Sequence, residues 1–228
     1  MATKKIECII FDCDGVLVDS EMLSAGVLKA LMAEQGMPLS DAMFRDVFLG
    51  RSFVNGKLRA KTVLNFDLPD DFENHYRERL FAELTQNLRP MAGIKTVLST
   101  LRLPYCVATG SSPRRLALSL EVSGLSSYFG GNRFTSSEVA HGKPAPDLCF
   151  HAAEKMNVPP QNCLVIEDSE IGILAAKSAN MEVWHFAGGA HIKAGYHLPD
   201  HLVVAKTFID MQSLRMELVK IGICLTSK

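Results

Sequence analysis

Ile6-Glu7-Cys8-Ile9-Ile10-Phe11 is an almost unbroken apolar run that stops at Asp12. A strand covered on both faces of a parallel sheet reads this way, without the alternation of a half-exposed strand. Tyr105-Cys106-Val107-Ala108-Thr109, Cys163-Leu164-Val165-Ile166 and Val183-Trp184-His185-Phe186 repeat the pattern, and Leu202-Val203-Val204-Ala205 repeats it more weakly. Helical spacing lies between the later runs. Ile94, Val97, Leu98 and Leu101 share a face after Pro90 and Gly93. Leu116, Leu120 and Val122 follow Pro113 and stop before Gly124, and Leu148, Phe150, Ala153 and Met156 follow Pro146; proline suits a first helical turn and glycine a stop. Strand and helix alternating in this way predict an α/β fold, a Rossmann-like parallel sheet flanked by helices, with right-handed crossovers.

Between the first strand and this alternation the pattern changes. Met22, Leu23, Val27, Ala30 and Leu31 suggest an amphipathic helix closed by Gly36 and Pro38. Ser40 can cap a short helix carrying Phe44, Val47 and Phe48, and Ser52 another with Val54 and Leu58. Asp70 or Asp71 opens a longer one, on which Phe72, Tyr76, Leu80 and Leu84 recur every four residues. The expectation is a catalytic core of residues 1–18 and 89–228, interrupted by an inserted helical bundle of residues 19–88.

Composition narrows the function classes. Of 228 residues, 47% are hydrophobic and 21% charged, as in globular proteins rather than disordered chains. The 24 basic and 25 acidic residues leave a net charge of -1 without a basic stripe, so nucleic acid is not the expected partner. No apolar run reaches the length of roughly 18 residues that a membrane span needs. The six cysteines contain no C-x-x-C pair, and several lie inside the apolar runs, which suits reduced thiols in a cytoplasmic protein, expected as a monomer.

Ligands of open α/β sheets gather at the carboxyl ends of the strands. Asp12, Cys13, Asp14 and Gly15 follow the first strand, and Thr109-Gly110-Ser111-Ser112 ends the second before Pro113. Lys143 follows the segment 134–139 within His141-Gly142-Lys143-Pro144, and Glu167, Asp168 and Ser169 follow the strand at Cys163. Crowded carboxylates repel one another unless a hard cation neutralises them, and Mg²⁺ with oxygen ligands is the natural choice. Thr109, the amides of Gly110 and Ser111, and the Lys143 cation could hold a phosphate group. A metal, a phosphate cradle and a carboxylate nucleophile together suggest phosphoryl transfer to an aspartate.

Asp12-Cys13-Asp14-Gly15-Val16, Thr109, Lys143 and Glu167-Asp168 match, in order and spacing, the four motifs of the haloacid dehalogenase superfamily, which the chain resembles over essentially its whole length. Within it the chain is similar to the sugar-phosphate phosphatase and β-phosphoglucomutase branch. The resemblance implies that Asp12 attacks phosphorus and that Asp14, with a raised pKa, serves as acid and then base. It implies Mg²⁺ held by Asp12, the Asp14 carbonyl and Asp168, with Glu167 a ligand or beside one. Thr109, Gly110, Ser111 and Lys143 would hold the phosphoryl group, a cis Lys143-Pro144 peptide would aim the lysine, and the helical insertion would act as a cap. Arg51, in Leu49-Gly50-Arg51-Ser52, would contact substrate from that cap. The implied substrate is a small phosphorylated metabolite, a sugar or sugar-acid phosphate such as 6-phosphogluconate.

The alternative is a phosphomutase, but the His and Trp of the β-phosphoglucomutase pattern are missing from Asp19-Ser20-Glu21-Met22-Leu23-Ser24-Ala25-Gly26. Arg114 and Arg115 read as exposed helix cations. His191, His197 and His201 are too irregularly spaced across Gly195 and Pro199 for a zinc site. Neither G-x-x-x-x-G-K-[ST] nor G-x-G-x-x-G occurs, so nothing points to a nucleotide cofactor.

Overall fold

The computed structural model describes residues 5–48, 53–193 and 195–225. In chain order the elements are β1 (Cys8–Phe11), α1 (Glu21–Glu34), α2 (Asp41–Val47), α3 (Phe53–Leu64), α4 (Phe72–Asn87), α5 (Ile94–Thr100), β2 (Tyr105–Thr109), α6 (Pro113–Val122), α7 (Ser126–Phe129) and β3 (Arg133–Thr135). They continue as α8 (Asp147–Lys155), β4 (Cys163–Glu167), α9 (Glu170–Ser178), β5 (Glu182–Phe186), β6 (Lys206–Phe208) and α10 (Met211–Lys220). The six strands form one sheet in the order β3-β2-β1-β4-β5-β6, every pair parallel. This is the α/β fold read from the apolar runs. The chain moves outward from β1 on one side through β2 and β3, then returns to begin β4 on the other. The carboxyl ends of β1 and β4 therefore flank the switch point where such sheets bind ligands.

Both faces of the central strands are covered. Cys8, Ile10, Cys106, Ala108, Cys163 and Val165 pack with Leu148, Ala152, Ile173 and Ala176 of α8 and α9. Ile9, Phe11, Val107, Leu164, Ile166, Trp184 and Phe186, of the opposite pleat, are buried as well. This double burial is why the strands read as continuous apolar runs. All six cysteines are buried and free. Among the described residues no helix is long and apolar enough to cross a membrane.

The chain divides into two compact units, Met1–Asp19 with Arg89–Lys228, and Ser20–Leu88. The second has its own core of Leu28, Leu31, Met32, Val47, Phe48, Ala60, Leu68 and Phe72. Phe53 stacks against Phe72 and Tyr76, at 6.2 and 5.8 Å between ring centroids, and the Tyr76 hydroxyl meets that of Ser24 at 2.6 Å. Ser40 caps α2 as expected, accepting from the Met43 amide.

Several local readings change. The buried face of α1 is Ala25, Leu28, Leu31 and Met32, spaced at three and four residues, whereas Met22 and Ala30 face solvent. Leu58 on α3 and Phe150 on α8 are exposed. The weak run Leu202–Ala205 is not a strand: Leu202 alone is buried in it, and the edge strand follows at Lys206–Phe208. A short edge strand covered on one face needs few apolar residues, so its signal is lost beside a more apolar loop. The apolar tail ending at Leu225 pairs with the segment after α5, through the Leu101–Cys224 bridge.

Where the helical unit leaves the core, the two connecting segments pair with each other. The Asp19 amide donates to the Arg89 carbonyl at 3.1 Å, the Met91 amide to the Leu17 carbonyl at 2.9 Å, and Val18 bridges antiparallel to Pro90. The core thus closes on itself around the insertion. Replacing Ser20–Leu88 by a short Gly/Ser turn is expected to leave it folded. Trp184, the single tryptophan, lies in β5 and reports on that unit. Its fluorescence should keep a cooperative urea transition in the shortened chain, and loss of the transition would mean that the insertion is needed for the core to fold.

Candidate active site

The strand ends deliver their side chains to one place. Asp12 directly follows β1, Thr109 is the last residue of β2, and Glu167 is the last of β4, with Asp168 next. Because β1 is hydrogen-bonded to both β2 and β4, these residues lie on neighbouring strands at the same end of the sheet. Lys143 arrives from the loop between β3 and α8, and the Lys143-Pro144 peptide is cis. Its ammonium, only 9% exposed, donates to Asp12 Oδ1 at 2.5 Å and to Glu167 Oε2 at 2.6 Å.

The other Glu167 oxygen, Oε1, accepts from the amides of Asp168 (3.2 Å) and Ser169 (3.1 Å) and from the Ser169 hydroxyl (2.8 Å). Ser169 in turn caps α9, its hydroxyl accepting from the Gly172 amide. Glu167 is therefore saturated, one oxygen by a cation and one by three neutral donors. Burial works against its charge, but the Lys143 ammonium beside it overcomes that and holds the carboxyl below its usual range. Burial likewise opposes the lysine charge, and the carboxylates of Asp12 and Glu167 outweigh it, so Lys143 stays protonated. Asp12 moves the other way: its burial and the Glu167 charge raise its pKa despite Lys143.

Asp14 sits apart from this cluster, between α6 and the loop before it. Ser111 Oγ donates to Asp14 Oδ2 at 2.6 Å and Arg115 Nη2 to Asp14 Oδ1 at 2.8 Å. Arg115 is thus not an exposed helix cation. It stands one position beyond the exposed Arg114, and a step of about 100° around the helix turns it from solvent to the site. The Ser111 amide points to Thr109 Oγ1 at 3.1 Å, and Ser112 is the N-cap of α6. Arg51 lies outside the described residues.

Asp12, Glu167 and Asp168 each bring a carboxylate oxygen within 4.8 Å of the others, all three residues buried. With Asp14 nearby, four carboxylates face the two cations Lys143 and Arg115. An all-oxygen donor set this crowded suits a hard divalent ion such as Mg²⁺, whose charge would favour the ionised form of Asp12 that burial opposes. The residues fit such an ion.

Two features of the site gave no clear signal in sequence. His191, dismissed above as part of an irregular cluster, places Nε2 at 3.0 Å from Asp168 Oδ2. Gly15, with φ +81°, occupies a position where a Cβ would overlap the Asp168 carboxylate, and a Cβ at Gly172 would overlap that of Glu167. Neither role has a local pattern: His191 meets a carboxylate two secondary-structure elements earlier, Gly15 one from a distant strand end, and Gly172 one across a helix turn.

The haloacid dehalogenase-like hydrolase model matches residues 6–180, which include every one of these strand ends. The chain belongs to that family. It is 30% identical over 202 residues to the 6-phosphogluconate phosphatase of Escherichia coli K12, covering 85% of this chain and 88% of that one. It is 32% identical over 187 residues to the phosphorylated carbohydrates phosphatase of Thermotoga maritima, covering 78% and 83%. A crystal structure of a hydrolase of the same family from Deinococcus radiodurans, with bound phosphate and sodium, superposes with a TM-score of 0.79 at 29% identity, over 99% of this chain and all of the other.

The glycine geometry gives a controlled test. Gly222, also at positive φ (+78°), has nothing within 4 Å of an added Cβ. Gly222→Ala should cost only the left-handed strain of about 1–2 kcal/mol. Gly15→Ala should cost that plus the displacement of Asp168, and a urea midpoint no lower than that of Gly222→Ala would contradict the crowding.

Proposed function

We propose that the protein is a Mg²⁺-dependent phosphatase of small sugar or sugar-acid phosphates, acting through an aspartyl-phosphate on Asp12. The observation that carries this reading is the Lys143 ammonium shared between Asp12 and Glu167 at the switch point of the sheet. The chain is a phosphoric monoester hydrolase in this reading, as its relatives of the same family are by name.

Lys143 holds one oxygen of Asp12, leaving the carboxylate oriented with its other oxygen for attack. That oxygen forms a bond to phosphorus while the ester P–O bond breaks, and Asp14 gives its proton to the departing alkoxide. The phosphoryl group then sits on Asp12, within reach of the Lys143 charge and of Thr109. Asp14, now a carboxylate, takes a proton from a water molecule, whose oxygen attacks phosphorus. The acyl–phosphate bond breaks, and inorganic phosphate and the Asp12 carboxylate are restored. Ser111 and Arg115 keep Asp14 at a fixed place in both steps. Mg²⁺ held by Asp12, Asp168 and the Asp14 carbonyl would offset the phosphate charge and favour ionised Asp12. Glu167, with both oxygens already engaged, serves Lys143 rather than the metal. Substrate choice is assigned to the inserted helical unit, including Arg51, and 6-phosphogluconate is the first candidate to try.

The test is phosphate release from a panel of sugar and sugar-acid phosphates with Mg²⁺ and with EDTA. Metal-dependent release is expected, reduced by about three orders of magnitude or more in Asp12→Asn and by roughly 10²–10³ in Lys143→Ala, as for loss of a charge-stabilising donor. Release that survives Asp12→Asn would remove Asp12 from its role. Conversion of a sugar phosphate to its isomer without phosphate release would favour the mutase instead. Arg115→Ala should lower kcat by about tenfold with KM little changed, since it orients the acid and not the substrate; a rise in KM alone would place Arg115 among the substrate contacts.

A further inference from the structure

His191 occupies a slot built for an imidazole. Its loop is closed by the Ile192 amide donating to the Gly189 carbonyl at 3.0 Å, and the Ala190 amide donates to Asp19 Oδ1 at 3.2 Å. Two glycines make room for one edge of the ring: a Cβ at Gly189 would stand 2.6 Å from Cε1 and 2.7 Å from Nδ1, and one at Gly15 3.0 Å from Cε1. On its other edge the ring faces a carboxylate: Nε2 stands 3.0 Å from Asp168 Oδ2. A carboxylate only accepts, so Nε2 carries the proton. Nδ1 is buried and has no hydrogen-bond partner. A buried nitrogen is left unsatisfied so that the other can reach Asp168, a cost that pure packing would not call for.

We propose that His191 is a positioning residue for the cation site: by holding Oδ2 it makes Asp168 a ligand through one oxygen, and so favours Mg²⁺ over Ca²⁺. The inference rests on the Mg²⁺ reading given above. Mg²⁺ demands near-octahedral coordination by single oxygens, whereas Ca²⁺ accepts more ligands and often takes both oxygens of a carboxylate. Hydrogen bonds from outside the ligand set that orient a ligand are commonly worth 10–100-fold in metal affinity.

Two amide variants separate the hydrogen bond from the ring. The His191→Gln amide can stand where Nε2 stands and donate to Asp168. The shorter His191→Asn amide falls near Nδ1, directed at Gly189 and away from Asp168. Mg²⁺ and Ca²⁺ dissociation constants would be measured by calorimetry on the whole protein, without substrate, after checking that both variants melt with the unaltered protein in EDTA. His191→Gln is expected to bind Mg²⁺ within a few-fold of the unaltered protein. His191→Asn is expected to lose about tenfold or more in Mg²⁺ affinity while Ca²⁺ changes less, narrowing the Mg²⁺/Ca²⁺ ratio. Should either variant fail to fold, His191→Ala against the unaltered protein gives the same comparison of ratios. Tight Mg²⁺ binding by the unaltered protein with an unchanged ratio in His191→Asn, or equal weakening in both variants, would overturn the inference and leave the phosphatase reading standing. No Mg²⁺ binding by the unaltered protein would overturn both.

Discussion

The buried ammonium of Lys143, shared between Asp12 and Glu167, sets the terms for the rest of the molecule. Burying any one of these charges alone costs several kcal/mol, and the arrangement is tolerable only when the partners meet with good geometry and their remaining lone pairs are satisfied. That condition reaches back into the fold. Asp12 and Glu167 must stand at the carboxyl ends of neighbouring parallel strands, which puts β1 beside β4. Ser169 must serve both as N-cap of α9 and as donor to Glu167, which ties the start of a helix to the ionisation of a carboxylate. Even so, Asp12, Glu167 and Asp168 stay crowded, with carboxylate oxygens within 4.8 Å of one another around a single ammonium.

Room for these groups comes from glycines. Gly15 makes way for the Asp168 carboxylate, Gly172 for that of Glu167, and Gly189 for the His191 ring. Gly15 lies on a different segment from the group it accommodates, Gly172 stands about a helical turn from Glu167, and Gly189 precedes His191 within one loop. Glycine inside α9 costs helix stability of about 1 kcal/mol relative to alanine, yet a Cβ at Gly172 would displace the group that anchors Lys143. The close approach of backbone to charged side chain is thus part of the same electrostatic requirement, and it explains the local departure from good helix-forming sequence.

The fold and most of the cluster at Asp12 were legible because their causes are local. Strands buried on both faces produce uninterrupted apolar runs, and a parallel sheet places whatever follows each run at one end, so Asp12, Thr109 and Glu167-Asp168 could be collected without coordinates. What escaped reading depends on direction or on distant partners. In α1 the apolar residues outnumber those the core needs, so composition did not separate Met22 from Met32. The edge strand at Lys206–Phe208 was hidden behind the more apolar Leu202–Ala205. Arg114 and Arg115 are chemically identical, and only the helix phase decides that the second meets Asp14. His191 gave no signal at all, because its partner precedes it by two secondary-structure elements and its slot is made by glycines from two loops.

The carboxylates at the strand ends, Lys143, Arg115 and His191 belong to the unit of Met1–Asp19 and Arg89–Lys228, although the chain leaves that unit soon after Asp14 and Gly15 have been placed. The excursion is affordable because its ends are joined by backbone hydrogen bonds between Leu17–Asp19 and Arg89–Met91. Closing a loop grows costlier only slowly with its length, by about 0.6 kcal/mol per doubling, so once the ends are pinned the size of the inserted unit matters little to the core. The insertion can then build its own apolar core, around Phe53, Phe72 and Tyr76. Separate cores joined at a hydrogen-bonded doorway allow the inserted unit to change in sequence while the carboxylates, Lys143 and His191 keep their places. That separation is a physical route by which the groups at the strand ends can be kept while the insertion varies.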